Sequence, residues 1–441
     1  MGDRAAAMAP APSAADAAVA ALDRPALRHM LADLLAVPSI TGTDAESRAQ
    51  QLMAQWYADA GLDVDLWRID LAEVTGRPDF PGLEAPRDQA WGVTGTWTGS
   101  GGGQPDGPAL ILNGHVDVVP RGDLAQWTTD PFTPRFDAGT DGRESVYGRG
   151  AVDMKAGLVA ALAAVRAVRS AAVPLRRSVQ LQSVAGEEDG GLGTFATLLR
   201  GHTGDLAVIP EPTSGVVVCA CAGALTFRLT IRGRATHASL RKQGVSAVEK
   251  LWPIWPALAA LEERRNRDPH ALMRHLDPPY PLSVGTVRAG DWPSSVPDLL
   301  VAEGRLGVAL DEDVAAARRE LSEAVARACA ADPWLSDHPA EVEFFGGQFQ
   351  PGQVGPDSPL VRLVSAAHER VAGAPAAVLG APYGSDLRLF TRAGVPAVCY
   401  GAGAANQAHA PDEHVALAEV EQTAEALVRL IVAVCGPPTT G

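Results

Sequence analysis

Short apolar runs that stop at a histidine or an acidic residue are the feature that most restricts how this chain can fold. They lead into, or lie within, five stretches, at 113–120, 148–157, 186–191, 209–213 and 407–411. Each stretch places an imidazole or a carboxylate next to a buried segment. Such ligands, with no thiolate among them, suit Zn(II), Co(II) or Mn(II). We therefore predict that the fold brings the five stretches together as one site for two metal ions.

Strands and helices alternate around these stretches, which is typical of an α/β fold. Apolar runs at 108–112, 178–184, 206–209 and 395–400 are short enough for buried parallel strands, and each leads toward a candidate ligand. An alanine-rich helix is predicted over 156–169. In α/β sheets, sites gather beyond the carboxyl ends of the strands. The sequence therefore predicts a mostly parallel central sheet with the site at one edge.

The amino-terminal part of the chain is harder to assign. Residues 1–19 are rich in Ala and Pro, and we predict a disordered tail there. Helices are predicted over 24–36 and 45–60, followed by a strand over 62–71. Residues 76–107 are dense in Gly and Pro, and we expect a loose surface excursion.

Residues 223–346 have a different order of predicted strands and helices from the rest of the chain. The predicted elements are a strand at 224–232, a helix at 245–263, strands at 282–287 and 299–308, a helix at 313–330 and a strand at 341–345. This β-α-β-β-α-β order is the ferredoxin-like motif. Because candidate ligands lie on both sides of it, we predict an inserted domain at 223–346 and a metal-binding domain built from 20–222 and 347–441.

Charge and cysteine content restrict the partners and the compartment. The net charge of −15 and pI of about 5.1 argue against nucleic-acid binding, which needs a basic surface. The longest apolar run, at 156–165, is too short to span a membrane. The five cysteines include no Cys-x-x-Cys pair, so we interpret them as reduced thiols and predict a cytoplasmic protein.

The first candidate ligands are His115 and Asp153. His115 and Asp117 lie two apart on an extended segment, so their side chains share a face. Asp117 is then a candidate partner for the second imidazole nitrogen, the alternative being a core histidine beside an acid. Asp153 lies between a Gly-Arg-Gly turn and a helix start, where it is either a carboxylate shared by two cations or a helix N-cap.

The remaining candidates follow later strands. Glu187 and Glu188 are adjacent and would point apart in a regular strand, so one can bind metal while the other carries a proton. The alternative is a solvated acidic turn. Glu211 lies between two prolines, which stiffen its backbone. His409 follows a loop of Gly and Ala, and His414 nearby is an alternative ligand.

Together these segments resemble the dinuclear zinc peptidases and deacylases, the family of acetylornithine deacetylase, succinyl-diaminopimelate desuccinylase, aminoacylase and carboxypeptidase G. The resemblance extends from about residue 24 to 434. It implies a zinc-peptidase-like catalytic domain with an inserted lid and dimerisation domain. It also implies these roles: His115 and Glu211 on one metal, Glu188 and His409 on the other, Asp153 bridging, Glu187 as general base and acid, and Asp117 behind His115.

The same resemblance implies a role for His237 on the inserted domain. In the family, the matching histidine reaches across a dimer to the neighbouring active site and stabilises the oxyanion, as a positioned donor would. The reading from the residues alone is an exposed histidine at a strand end. Glu211 is more like the deacetylase and desuccinylase members than the aminoacylase members.

The chain departs from the family at the positions that hold substrate. Ser294 stands where many members have Asn. Arg305 lies two residues away from the position at which many members have an Arg in the same strand, and a shift of two residues keeps the side chain on the same face of the strand. Arg388 is either a clamp for a substrate carboxylate, which a guanidinium suits, or a surface partner of Asp386. These departures put the identity of the substrate in question more than the reaction.

The resemblance implies an amide hydrolase that uses two divalent ions, Zn(II) first, with Co(II) or Mn(II) as alternatives. The expected substrate is an N-acylated amino acid or a related small amide, and the expected assembly is a homodimer. Alternatives are a dipeptidase or carboxypeptidase, a deformylase-type hydrolase of a heterocyclic amide, and a non-catalytic homologue. The presence of every acid and histidine of the site argues against the last.

Overall fold

The computed structural model describes residues 13–101, 107–139 and 142–437. The helices are α1 (Ala14–Ala20), α2 (Arg24–Leu35), α3 (Asp44–Asp59), α4 (Leu71–Thr75), α5 (Ala156–Ser170), α6 (Leu192–Leu199), α7 (Trp255–Arg265), α8 (Val314–Ala330), α9 (Pro359–Ala372), α10 (Leu387–Arg392) and α11 (Leu417–Cys435). The strands are β1 (Asp63–Arg68), β2 (Trp91–Trp97), β3 (Leu110–His115), β4 (Arg135–Ala138), β5 (Glu144–Tyr147), β6 (Val179–Val184), β7 (Ala207–Ile209), β8 (Val217–Cys221), β9 (Gly223–Arg232), β10 (Leu282–Ala289), β11 (Leu299–Val308), β12 (Glu341–Phe349), β13 (Gly352–Gln353), β14 (Val378–Ala381), β15 (Ala397–Cys399) and β16 (His414–Ala416).

The central sheet runs in the order β1-β2-β6-β3-β7-β15-β8-β13, with β14 paired to β8. Its middle, β6-β3-β7-β15, is parallel. The pairs at its margins, β1 with β2 and β8 with β13, are antiparallel. Strands β3, β6 and β7 are buried at every position, as expected for parallel strands covered on both faces. The prediction of an α/β fold with a mostly parallel central sheet is confirmed.

Helix α5 explains how this sheet is covered so closely. It is apolar nearly all round and buries twelve of its fifteen residues, which is typical of a helix inside a core. Its many alanines let α11 and α2 approach it. Gly157 in its first turn lies against the segment before Glu211, since a Cβ there would come within 2.1 Å of the Pro210 carbonyl oxygen. The packing of α5 therefore sets the position of one candidate ligand.

The inserted region forms a second sheet in the order β10-β11-β9-β12. With α7 between β9 and β10 and α8 between β11 and β12, this is the predicted ferredoxin-like arrangement. Its own buried cluster, which includes Phe227, Leu258, Leu300 and Leu321, lies between the sheet and the two helices. The domain boundaries at 222/223 and 346/347 remain a prediction.

Two expectations for the amino-terminal part were wrong. Residues 1–12 of the predicted tail lie outside the described residues, but Ala14–Ala20 is a helix whose N-cap Ser13 accepts the Asp16 N–H. Ala18 is fully buried against the core, which offsets the weak signal of this short segment. Within 76–107, predicted to be a loose excursion, Trp91–Trp97 forms β2, an interior strand of the central sheet.

Two bulk properties complete the fold. Among the helices of the described residues, none combines the length and apolar character that crossing a bilayer requires. All five cysteines are unpaired and buried.

Candidate metal centre

The parallel middle of the central sheet brings the candidate ligands together. His115 is the last residue of β3, Glu187 and Glu188 follow β6, and Glu211 follows β7. His409 lies in the loop after β15. Because these four strands are neighbours and run the same way, their carboxyl ends open on one edge of the sheet. The predicted meeting of the strand ends is therefore present in the structure.

One group of donor atoms consists of His115, Asp153 and Glu211. His115 Nε2 lies 3.1 Å from Asp153 Oδ1 and 4.0 Å from Glu211 Oε1. The ligand atoms of the three residues lie within 4.8 Å of one another, and their side chains are buried or nearly so. Asp153 belongs to a short helical turn, Ala151–Lys155, but its own angles are not helical (φ −118°, ψ 100°). The N-cap of α5 is Lys155, so the N-cap interpretation of Asp153 does not describe it.

A second group shares Asp153 and adds Glu188 and His409. His409 Nε2 lies 3.1 Å from Glu188 Oε2 and 3.5 Å from Asp153 Oδ2. The two oxygens of Asp153 thus face different histidines, as a bridging carboxylate requires. Within the described part of the chain, buried Glu188 Oε1 has no hydrogen-bond partner. That orphaned oxygen and the N and O donors fit a pair of divalent cations.

The protonation preferences of these groups show an excess of buried negative charge. Burial and the charge of Asp153 raise the pKa of Glu211 well above its usual range and that of Glu188 to about 7. Hydrogen bonds to Asp153 and Glu188 raise the pKa of His409 to about 10. Although burial opposes it, the hydrogen bond to Asp153 leaves the pKa of His115 well raised. Glu188 and Glu211 thus resist ionisation, whereas, although burial opposes it, hydrogen bonds from His115 and His409 lower the pKa of Asp153.

Asp117 lies beside the second imidazole nitrogen of His115, but its backbone is nearer to that nitrogen than its side chain. The oxygen nearest to His115 Nδ1 is the backbone carbonyl of Asp117, at 2.9 Å, while its carboxylate lies 3.7 Å away. The carboxylate instead accepts the backbone N–H groups of Glu187 and Glu188, each at 3.2 Å, and the Thr41 hydroxyl at 3.0 Å. Asp117 therefore fixes both the imidazole, through its backbone, and the Glu187–Glu188 pair, through its side chain.

Two residues that sequence reasoning missed lie behind the centre. Arg149 and Glu413 form a buried ion pair at 2.7 Å. Glu413 Oε1 accepts the backbone N–H of Val152 at 2.9 Å and of Asp153 at 3.2 Å, and Arg149 donates to the His409 carbonyl at 3.4 Å. The pair ties the segment of the shared carboxylate to the loop of His409. The Gly-Arg-Gly turn was visible in the sequence, but nothing there connects it to position 413.

Glu187 lies beside the two groups without belonging to either. Glu187 is 8% exposed, so it keeps a small contact with open space. Burial, together with the charge of Asp386, raises its pKa well above the usual range for a carboxyl. The structure thus separates the adjacent acids: Glu188 faces His409 and Glu187 faces open space.

That space is a cavity of about 420 Å³. One part of its lining consists of four acidic residues and a histidine: Asp153, Glu187, Glu188, Glu211 and His409. The rest of its lining is Pro212, Ala224, Pro281, Arg305, Gly307, Phe349, Pro382, Tyr383, Gly384, Ala405 and Ala408. Apart from His409, Arg305 is the lining residue that carries a positive charge. Its buried Nη1 has no hydrogen-bond partner in the described residues. The cavity can therefore receive a small molecule that carries an acceptor or an anion for Arg305.

Three other candidates do not line this cavity in the described chain. His237 is exposed at the start of a short turn, Ala238–Gln243, with its Nδ1 2.8 Å from the Ser239 hydroxyl. Ser294 is exposed and accepts the Ala238 N–H through its backbone. His414 Nδ1 contacts the Asp412 carbonyl at 2.8 Å, outside both ligand groups.

Arg388 forms the predicted pair with Asp386, since its Nη1 lies 3.7 Å from Asp386 Oδ1. Arg388 is 4% exposed, however, so the pair is buried and not on the surface. Its guanidinium donates to the carbonyls of Ser385 at 2.8 Å and Gly190 at 2.6 Å and lies over the Phe349 ring. Arg388 therefore supports the loop that follows Glu188 and the aromatic wall of the cavity.

Known proteins share both the sequence pattern and the fold. The sequence model of Peptidase family M20/M25/M40 matches residues 111–433. An N-formyl-4-amino-5-aminomethyl-2-methylpyrimidine deformylase of Halalkalibacterium halodurans is 27% identical over 88% of this chain and 89% of its own length. An acetylornithine deacetylase of Yersinia pseudotuberculosis is 27% identical over 91% of this chain and 96% of its own length. The structure of human carnosine dipeptidase 1 matches with a TM-score of 0.74 at 15% identity, over 96% of this chain and 99% of the dipeptidase chain.

Proposed function

The chain belongs to peptidase family M20/M25/M40 and is a metal-dependent amide hydrolase, and we propose that it removes an acyl group from a small N-acylated amino acid or related amide. One observation carries the proposal. Two ligand groups share Asp153, which lines a cavity together with the carboxylate of Glu187 and the guanidinium of Arg305.

The residues that would hold the ions divide into two sets. His115 and Glu211 would bind one, Glu188 and His409 the other, and Asp153 both. Zn(II) is the first candidate, with Co(II) and Mn(II) as alternatives. When bound, the ions supply the Lewis acidity that polarises an amide carbonyl and lowers the pKa of a water molecule.

Glu187 is the proposed proton carrier. It faces the cavity while the backbone N–H of Glu187 is held by Asp117, so the carboxylate is presented at a defined place. We assign it two transfers: it takes a proton from the attacking water, and it delivers that proton to the departing amine. The balance of this reaction is that of hydrolysis, since the C–N bond breaks, a C–O bond forms and the water supplies both hydrogens.

Arg305 is the proposed contact for the carboxylate of the substrate. Its guanidinium lies on the cavity with Nη1 unpaired among the described residues, and its nearest acid, Glu84, is 3.8 Å from Nη2. Small side chains at Gly307, Gly384 and Ala405 leave room for the amine part.

Deformylation of a heteroaromatic amine is the second candidate. The sequence alone favours deacylation over it, but the pyrimidine deformylase aligns with 88% of the chain. Two aromatic side chains on the cavity, Phe349 and Tyr383, suit a planar ring. In this case Arg305 would meet a ring nitrogen or an exocyclic group instead of a carboxylate.

The experiment measures amine release from N-acetyl, N-formyl and N-succinyl amino acids, dipeptides and an N-formyl aminomethylpyrimidine. Chelator-stripped enzyme is compared with and without added Zn(II) or Co(II), and wild type with Glu187→Gln. We expect metal-dependent release from one subset and a loss of kcat of roughly 10²–10⁴-fold in the variant, with metal content unchanged. Near-normal turnover by Glu187→Gln would remove the assigned role.

A homodimer, with His237 of the partner subunit at the cavity, completes the proposal. Of the ten large apolar side chains exposed in the described residues, seven lie in the inserted region: Leu240, Val248, Trp252, Trp255, Val287, Trp292 and Leu299. Such exposure is typical of an interaction surface. We expect sedimentation to give a dimer, and mixing His237→Ala with Glu187→Gln subunits to restore activity. An active monomer would contradict the role in trans.

A further inference from the structure

An irregular segment, residues 80–90, buries a cation next to the catalytic loop. Arg87 has a side chain that is only 1% exposed. Its Nη2 donates to both oxygens of Asp189, at 2.9 and 3.0 Å, and its Nη1 to both oxygens of Glu46 on α3, at 3.2 and 3.3 Å. A guanidinium that joins two elements in this way fixes their relative position, since its donors form a rigid planar fork.

The contact with Asp189 reaches the catalytic acids through the backbone. Asp189 directly follows Glu188, and its Oδ2 also accepts the N–H groups of Glu84 and Ala85, at 3.2 and 2.9 Å. At the other end of the loop, a Cβ on Gly186 would come within 2.8 Å of Arg87 Nη1. The loop that carries Glu187 and Glu188 is therefore held by Asp117 on one side and by Arg87 on the other.

The same segment also contacts the inserted region. Glu84 Oε1 accepts the Thr226 hydroxyl at 2.9 Å and the Gly347 N–H at 3.3 Å, and it lies 3.8 Å from Arg305 Nη2. Pro81 accepts the N–H of Gln348 at 2.8 Å. One end of the segment thus touches β9, β11 and β12, while the other touches the loop after β6.

We propose that residues 80–90 position both halves of the reaction site: Arg87 positions Glu187 and Glu188, and Glu84 positions the substrate contact Arg305. The inference rests on the proposed function, because it takes Glu187 as the proton carrier and Arg305 as the substrate contact. Neither Arg87 nor Glu84 lines the cavity in the described residues, so each acts through another side chain.

The two ends of the segment predict different kinetic effects. Replacing Arg87 by Lys keeps the cation but removes the fork, so the acids shift and kcat falls by roughly 10–100-fold, because misplacement near 1 Å is enough for such losses. KM then changes little. Glu84→Ala frees Arg305, so KM rises by roughly threefold to tenfold, the effect of losing ordered contacts, while kcat is kept.

The experiment measures kcat and KM for wild type, Arg87→Lys, Glu84→Ala and the double variant Arg87→Met with Glu46→Gln. The double variant removes one cation and one anion together, so the net buried charge is unchanged, and Asp189 keeps the backbone N–H groups of Glu84 and Ala85 as partners. Arg77→Met is the matched control, because Arg77 lies just before the segment and forms an exposed pair with Asp79 at 3.2 Å. Amide hydrogen exchange of the peptide that contains Glu187 and Glu188 is measured on each variant without substrate.

We expect faster exchange of that peptide in both Arg87 variants, and unchanged exchange in Glu84→Ala and Arg77→Met. A kcat equal to wild type in Arg87→Lys and in the double variant, with unchanged exchange, would overturn the role of Arg87. An unchanged KM in Glu84→Ala would overturn the role of Glu84. If wild type itself hydrolysed no substrate of the panel, the proposed function would fail, while the exchange result would still decide whether Arg87 holds the loop.

Discussion

Two of the buried arginines that hold the loops of this site, Arg149 and Arg87, differ in how their charge is balanced. Arg149 faces one carboxylate, Glu413, at 2.7 Å, and the pair holds the segments of Asp153 and His409. Arg87 faces two carboxylates, Glu46 and Asp189, and holds the loop of Glu187 and Glu188. We call each arginine together with its acidic partners an anchor. When all groups are ionised, the Arg149 anchor has no net charge, whereas the Arg87 anchor has a net charge of one negative unit.

This difference appears in the protonation of the acids. Burial raises the pKa of both Glu413 and Glu46. For Glu413 the next influence is Arg149, which lowers the pKa, but for Glu46 it is the charge of Asp117, which raises it further, to about 8. The comparison teaches that the neighbouring charges decide whether the effect of burial on the pKa of an acid is opposed, as at Glu413, or reinforced, as at Glu46.

The largest effect is expected when the balanced anchor is broken. Arg149→Met leaves the Glu413 carboxylate buried with only backbone N–H partners, so the free energy of unfolding should fall by about 3–5 kcal/mol. Urea unfolding of the variant and wild type, both without metal, measures this loss. Arg77→Met, on an exposed pair, should stay within about 0.5 kcal/mol.

A loss below about 1 kcal/mol in Arg149→Met would mean that water or a relaxed backbone replaces the guanidinium. The two anchors would then not differ in the way their charges suggest.

A smaller and pH-dependent effect is expected at the unbalanced anchor. The pKa of Glu46 is about 8 in the folded state and 4.5 in the unfolded state, so the folded state binds the proton more tightly. The contribution of protonated Glu46 to the free energy of unfolding is therefore fully present below pH 4.5 and is lost as the pH rises through about 8. Within this window wild type should lose about 1.4 kcal/mol per pH unit relative to Glu46→Gln.

Urea unfolding of wild type and Glu46→Gln at several pH values between about 5 and 8 measures that slope. Parallel curves, or a wild type that gains stability over the variant as the pH rises, would show that Arg87 keeps the Glu46 carboxylate ionised despite Asp189 and Asp117. The charge imbalance would then be compensated elsewhere.

The parts of the fold that could be predicted have a local signal. Apolar runs of strand length predicted β3, β6, β7 and β15, and the change of rhythm after residue 222 predicted the order of elements in the inserted region. Strand β2 has no such run, since its sequence mixes Gly and Thr with Trp and Val, and its pairing with β1 and β6 establishes it. Helix α1 likewise depends on its contacts with the core.

The candidate site divides in the same way. Residue type and position near the ends of strands or the start of a helix were enough to nominate His115, Asp153, the Glu187–Glu188 pair, Glu211 and a histidine at 409 or 414, because a metal needs particular donor atoms. The resemblance to a known family then selected Glu188 and His409. The part of Asp117 that faces His115 could not be selected, since carbonyl and carboxylate lie on the same residue. Arg87 could not be found either, because its partners are 41 and 102 positions away.

The sequence by itself determined the types of the candidate ligands, their places near the ends of parallel strands, and the family to which the chain belongs. Local patterns suffice for this, because donor identity and strand polarity are properties of single segments. Only the tertiary structure decided which groups lie behind the ligands, that Arg149 has one acid and Arg87 two, and that residues 80–90 contact both the catalytic loop and the inserted region. Charge balance in a core depends on distances between segments far apart in the chain, and folding alone sets those distances.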